Sequence, residues 1–270
     1  MTYAELRAAL RGEHLPLAYC DLDLLAANAR SLEERAGGLP IRLASKSIRS
    51  RDILRRIQAL SPIFQGILCY SAAEAAFLAA DGFTDLVVAY PTVDRRDLDA
   101  ACQAIARGAQ ICLMVDDPEQ LVPLSAAAAA AGITLPVAID LDMSSSFPGL
   151  HFGVRRSPIH HEAAALALAD RIAATPHLRL DGLMGYEAQI AGLQDLLPGQ
   201  RLKSAAVRAL KRRSLPEICA RRAAVVSALR ARGHALRFVN GGGTGSLEQT
   251  RADRCVTELA AGSGLFGPTL

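Results

Sequence analysis

The chain has 270 residues, of which 51% are hydrophobic and 21% charged, with a formal net charge of +3. That length and composition suit one large soluble core, and the charge is too mild to make nucleic acid or an anionic membrane surface the main partner. The scattered cysteines (Cys20, Cys69, Cys102, Cys112, Cys219, Cys255) lack the two-residue spacing of a zinc knuckle or redox motif and read as small buried hydrophobes of a reducing cytoplasm.

Met1 to Arg11 is polar and charged, without the apolar centre of a signal peptide. Leu17-Ala18-Tyr19-Cys20-Asp21-Leu22 predicts a strand, and a helix follows from Asp23 to about Arg35. Apolar runs followed by amphipathic stretches then recur, the pattern of a parallel sheet with crossover helices. They predict eight strands: Ile41–Ser45, Gly66–Cys69, Leu86–Tyr90, Gln110–Val115, Leu135–Leu141, Leu180–Tyr186, Arg237–Asn240 and Cys255–Leu259. Helix starts lie between them at Ser50-Arg51-Asp52, at Ser71 with Glu74 as a capping box, at Asp94, and at Asp116-Asp117-Pro118-Glu119. The alanine run Ala126 to Ala131, between Pro123 and Gly132, is too short to span a bilayer and predicts a packed helix. Asp142 to Ser157, rich in Ser, Gly and Pro, predicts a long binding loop after the fifth strand. Gln200 to Gly233 divides into two helices, the second starting at Ser214-Leu215-Pro216-Glu217, and the basic cluster Arg201 to Arg213 is a solvated outer face.

Together these elements predict an α/β fold, a (β/α)8 TIM barrel over residues 39–270 preceded by a strand and helix in 1–38. The leading strand has no partner among the eight, which suggests a missing domain. The glycine-rich end, Ala261 to Leu270, stops without a capping helix and points to a truncated sequence.

Two features carry chemistry. Lys46 ends the first apolar run, Ile41-Arg42-Leu43-Ala44-Ser45, and so is expected to point into the barrel mouth. A desolvated ammonium there loses part of the water that stabilises its charge, which makes the neutral, nucleophilic amine more accessible. Asn240-Gly241-Gly242-Gly243-Thr244-Gly245-Ser246 follows the seventh strand. Consecutive glycines permit positive φ and close backbone approach, so N–H groups and hydroxyls converge on an anion. Gly262-Ser263-Gly264 after the eighth strand supplies the other half of a phosphate cup, at the corner where barrels commonly bind phosphate. A cup facing a lysine describes the two anchor points of pyridoxal 5'-phosphate.

The segments Pro16 to Asp23, Arg42 to Lys46, Gly182 to Glu187 and Asn240 to Gly245, in that order, resemble the D-threonine aldolase and D-serine dehydratase-like group. That group has the alanine racemase-type fold of pyridoxal-phosphate enzymes. The resemblance implies that Lys46 forms the covalent link to the cofactor and that Gly241, Gly242, Gly243, Thr244, Ser263 and Gly264 hold its phosphate. It implies that Tyr186 lies beneath the cofactor ring. Arg155 falls near the arginine-containing turn that follows strand five, with His151 standing where an arginine is common. The implied activity is a cytoplasmic, homodimeric lyase acting on a D-β-hydroxy amino acid, either an aldolase or a dehydratase. An alanine racemase-like enzyme and a non-catalytic pyridoxal-phosphate-binding protein are the alternatives. Relatives continue into a β-rich domain that brings a divalent metal; here His160-His161 is the only tempting pair, and adjacent helical residues face different directions, so no complete metal site is expected.

Overall fold

Strands form where the apolar runs can be covered on both faces. In the computed structural model, which describes residues 2–196 and 198–267, eight parallel strands close into a barrel: β1 (Ile41–Ala44), β2 (Phe64–Cys69), β3 (Leu86–Val88), β4 (Ile111–Val115), β5 (Leu135–Asp140), β8 (Leu178–Gly185), β9 (Phe238–Gly241) and β10 (Glu258–Ala261). Their order around the barrel is β1-β10-β9-β8-β5-β4-β3-β2. Every residue of β1, β3 and β4 is buried, because helices cover one face and the lumen the other.

The helices begin where side chains satisfy their first amides. Ser50 caps α3 (Arg51–Leu60), Ser71 caps α4 (Ala72–Ala80), and Asp94 caps α5 (Arg95–Ala106) with bonds to two amides. The box predicted at Ser71 is displaced: Glu74 reaches back to the amide of Tyr70, at 2.5 Å, rather than to that of Ser71. A complete box stands at Asp117 and Gln120, ahead of α6 (Leu121–Ala130), which takes in most of the alanine run.

Three expectations are corrected. Leu17 to Leu22 is not a strand; Leu17 to Cys20 crosses the surface irregularly, half-buried or exposed, until Asp21 caps α2 (Leu22–Ala36). The closed barrel offers no edge to pair with it. Gln200 to Gly233 is one helix, α9 (Arg201–Ala231), with Pro216 inside it. Pro216 is exposed, so the acceptor four residues back that loses its N–H partner lies on the solvent side, while buried Ser214, Ile218, Arg222, Val225 and Leu229 anchor the opposite face. The loop from Asp142 to Ser157 contains an antiparallel hairpin, β6 (Ser145–Phe147) and β7 (Leu150–Phe152). Strand ends also shift: β10 starts later than predicted because Asp253 to Val256 is a turn, with the Cys255 amide on the Asp253 carboxylate and the Val256 amide on its carbonyl. Pro268, Thr269 and Leu270 of the glycine-rich end lie outside the described residues.

The lumen is polar at the N-terminal end and apolar above it. Arg42, 1% exposed, binds Glu258 at 2.7 Å and Asp85 at 2.9 Å. Arg237 in turn joins Asp85 and Asp181, each at 2.7 Å. The ring of Phe238 lies against both guanidinium groups, 5.5 Å from that of Arg42 and 5.0 Å from that of Arg237. Burial is tolerated because every charge meets an opposite one. Over this floor Val87, Cys112, Met114, Ala138 and Met184 pack as a small cluster separate from the large core between strands and helices.

Candidate active site

At the C-terminal ends of the strands a cavity of about 700 Å³, including its open mouth, is lined by Lys46, Tyr70, Tyr90, Arg156, Tyr186, Gly242, Gly243, Thr244 and Ser263 among others. Lys46 is placed there by the single 3₁₀ turn, Ser45–Ser47, into which β1 runs. Its Nζ donates to the Tyr90 hydroxyl at 3.2 Å. The desolvation expected of Lys46 is not met by this chain, which leaves the side chain exposed.

The glycine run forms the facing wall. Gly242 has φ +80, and a Cβ on Gly243 would come within 3.0 Å of Ala191 Cβ and 3.1 Å of the Tyr186 ring. The cup's own amides are partly used within the protein: Gly242 N–H donates to Glu187 Oε2 at 2.7 Å, Gly243 N–H to Ser246 Oγ at 3.1 Å, and Gly264 N–H to Thr244 Oγ1 at 3.1 Å. The amides of Thr244 and Gly245 have no acceptor among the described residues, and the Thr244 and Ser263 hydroxyls meet at 3.1 Å. The free amide of Thr244 and the Thr244 and Ser263 hydroxyls, all on residues that line the cavity, form a polar corner of the kind that holds a phosphate dianion, so these residues fit the cofactor anticipated from the sequence; Gly245 does not line the cavity. Gly241 ends β9 and Gly264 stands behind Thr244; neither lines the cavity.

Beneath the cup sits a buried clamp that the sequence reading passed over. Arg222, 1% exposed and reaching up from α9, binds Glu187, Asp253 at 2.6 Å and the Gly185 carbonyl at 3.0 Å. Glu187 therefore faces Arg222 with one oxygen and the Gly242 amide with the other. Its position directly after Tyr186 at the end of a barrel strand was the available signal.

The arginine at the cavity is Arg156, not Arg155. Arg155 is exposed and stands outside the lining, whereas Arg156 points inward, its Nε on Asp140 Oδ2 at 2.7 Å and its Nη2 on the Ala89 carbonyl. Its guanidinium covers the Tyr90 ring at 4.6 Å. The reason is local: the Arg156 amide donates to Asp142 Oδ2 at 3.0 Å, which fixes the chain direction and turns the side chain over the mouth. His151, in β7, does not line the cavity.

Electrostatics divides the titratable groups. Burial pushes the Asp140 carboxyl up to about 7 against the opposing pull of Arg156, and Asp140 Oδ1 has no hydrogen-bond partner. Burial would also raise the Tyr90 phenol, but the hydrogen bonds and charges of Lys46 and Arg156 outweigh it and hold the phenol below its ordinary value. Tyr186 moves the other way, raised by burial and by the charge of Glu187.

His160 and His161 do not act together. His160 Nδ1 lies 3.4 Å from Asp142 Oδ1, while His161 Nδ1 caps α7 (Glu162–Ala174). Among the described residues no group of three or more His, Cys, Asp or Glu side chains comes together to hold a metal ion. No helix of the described residues is long and apolar enough to cross a membrane.

The 3-hydroxy-D-aspartate aldolase of Paracoccus denitrificans strain Pd 1222 is 27% identical over 253 residues, covering 93% of this chain and 60% of the relative. The D-threonine aldolase of an Arthrobacter species is 28% identical over 257 residues, with the same coverage of 93% and 60%. The crystal structure of D-threonine aldolase from Filomicrobium marinum superposes with a TM-score of 0.72 at 26% identity, covering 93% of this chain and 62% of that one. The chain thus spans about 60% of the length of the curated relatives it matches. Residues 20–269 match the family described as alanine racemase, N-terminal domain, and the chain belongs to that family.

Proposed function

We propose that this chain binds pyridoxal 5'-phosphate through Lys46 and the glycine cup, and that it is the cofactor-holding barrel of a lyase acting on a D-configured β-hydroxy amino acid. One observation carries the reading: Lys46, Thr244 and Ser263 line a single cavity at the barrel mouth, an amine and an anion cup within one pocket. The relatives' names, D-threonine aldolase and 3-hydroxy-D-aspartate aldolase, support the substrate class and leave the individual amino acid open.

The cofactor, when bound, supplies an electron sink for the bond that breaks at the substrate's α-carbon. The chain's own residues do the rest. The free amide of Thr244 and the hydroxyls of Thr244 and Ser263 would hold the phosphate. Gly242 is held away from that task by Glu187, whose carboxylate keeps the loop in its left-handed turn. Tyr186 bounds the ring space from the β8 side. Arg156, fixed by Asp140 and the Ala89 carbonyl, would supply a cation to stabilise negative charge on a bound cofactor. Lys46 Nζ would anchor the cofactor and, when not bonded to it, would be the group in the cavity able to take or return a proton at the α-carbon.

The exposure of Lys46 favours a second reading, cofactor binding without turnover, because water at the amine weakens the desolvation that such chemistry uses. Absorption spectra decide the first step. The purified chain with pyridoxal phosphate should develop a visible band that Lys46→Ala abolishes; a band that persists in the variant places the covalent link elsewhere and defeats the proposal. Turnover of D-threonine or D-3-hydroxyaspartate by the loaded chain then separates lyase from carrier.

A further inference from the structure

Tyr90 has no place in the site as the sequence implied it, yet it makes the only side-chain hydrogen bond of Lys46 among the described residues. It follows β3 by two residues, where the chain leaves the ladder and the side chain turns to the mouth. We infer that the Tyr90 hydroxyl is a catalytic proton carrier for Lys46, moving a proton between Nζ and the oxygen of the carbonyl that Nζ attacks. This rests on the reading of Lys46 as the cofactor's covalent anchor.

Geometry supports it on three sides. The hydroxyl is 3.2 Å from Nζ, within the distance at which a proton is passed directly. The ring is held on one face by the Arg156 guanidinium at 4.6 Å and meets the Tyr70 ring edge-on at 5.3 Å, so the hydroxyl does not swing freely. It lines the same cavity as the cup and therefore lies where a carbonyl drawn in by its phosphate would be attacked. The groups facing it are Lys46 after β1, Tyr70 after β2, Arg156 with Asp140 behind it from β5, Asp116 beyond that pair after β4, and Tyr186 after β8. Burial raises the phenol, and the hydrogen bonds and charges of the two cations outweigh it and hold the phenol below its ordinary value, which eases loss of its proton.

The proton count closes. When Lys46 condenses with an aldehyde, a carbon–nitrogen bond forms, the carbon–oxygen bond breaks, and the oxygen leaves as water carrying two protons that began on Nζ. Nitrogen and oxygen cannot exchange them directly in a strained pair, so Tyr90 gives its proton to the oxygen and recovers one from nitrogen twice, once as the carbon–nitrogen bond forms and once as the carbon–oxygen bond breaks, ending unchanged. In release of the cofactor every transfer runs backwards.

A carrier of this kind changes rates and leaves equilibrium alone, whereas a structural role changes occupancy. The experiment compares the parent chain with Tyr90→Phe, which keeps the ring against Arg156 and Tyr70. Pyridoxal phosphate capture and its release on dilution are followed through the visible band across a range of pH. The expected result is that near neutrality both rates fall about tenfold or more by the same factor, that the plateau at saturating cofactor is unchanged, and that the deficit closes at alkaline pH, where a phenolate has no proton to give. Unchanged rates, a deficit uniform in pH, or a lowered plateau with unaltered release would each overturn the assignment while leaving Lys46 as the anchor. A parent chain with no band at any pH would overturn both.

Discussion

Asp140 shows how one residue can govern a neighbour without touching the cavity. It is 1% exposed, one oxygen is on Arg156 at 2.7 Å, and the other has no partner. Its carboxyl, pushed up by burial to about 7, binds a proton in the folded chain that it has lost in the unfolded chain over the intervening pH range. The stability it contributes is therefore fully present below the ordinary aspartate value of about 4 and is lost as pH rises through the folded value, by up to about 4 kcal/mol in all. Asp140→Asn should remove that slope: urea midpoints of parent and variant, measured between about pH 4 and 8, should converge or cross as pH rises. Parallel curves would mean that Asp140 does not titrate in this interval. The variant should also loosen Arg156, which has no other carboxylate on its side chain.

At the scale of elements, the β8 and β9 ends and α9 meet in the clamp of Glu187, Arg222 and Asp253. Removing one partner of a buried pair strands the other charge, so Glu187→Gln should cost roughly 3 kcal/mol of stability and release the Gly242 turn. The check is twofold, a lower urea midpoint and weaker cofactor binding by titration; loss of neither would reduce the clamp to packing. Gly243→Val should weaken the cofactor by about 2 kcal/mol or more, because its side chain meets Ala191 and the Tyr186 ring before anything else moves. In α9 the opposite sign is expected: Pro216→Ala restores a backbone hydrogen bond on the exposed side and should raise stability by about 2 kcal/mol, read from the same unfolding curves.

Elements were legible in the sequence to different depths for physical reasons. The barrel strands could be read because both of their faces are covered and their runs are continuously apolar, as in Ile111–Val115. Pro216 misled because a proline signals a helix start locally, while the buried face from Ser214 to Leu229 holds α9 together over a longer range. Leu17 to Leu22 misled because strand-forming residues make a strand only where an edge exists to pair with them. In the site, Lys46, Tyr186, Gly242, Gly243, Thr244 and Ser263 reach one cavity, as their places at strand ends suggested. Arg156 and the Glu187 clamp were not legible, since which of two adjacent arginines turns inward depends on the Asp142 carboxylate, and the partners of Glu187 lie far along the chain.

For the whole molecule, the barrel is the folding unit and the leading segment is an attachment. The first helix, Tyr3–Ala9, buries none of its residues, and Tyr3, Leu15 and Tyr19 are 77%, 69% and 58% exposed. Deleting residues 2–14 should leave the urea midpoint unchanged within about 0.5 kcal/mol, the range of a surface change; a clear loss would give that helix a part in the core that its burial denies.

The ionic floor built on Arg42 has a bearing on the order of traffic. Because Glu258, Asp85, Arg237 and the Phe238 ring close the barrel's far end, nothing the size of a substrate passes through the lumen. On the proposed function, cofactor and amino acid would share the one doorway at the strands' C-terminal ends, so an excess of amino acid would act as a cork that slows the cofactor's exit.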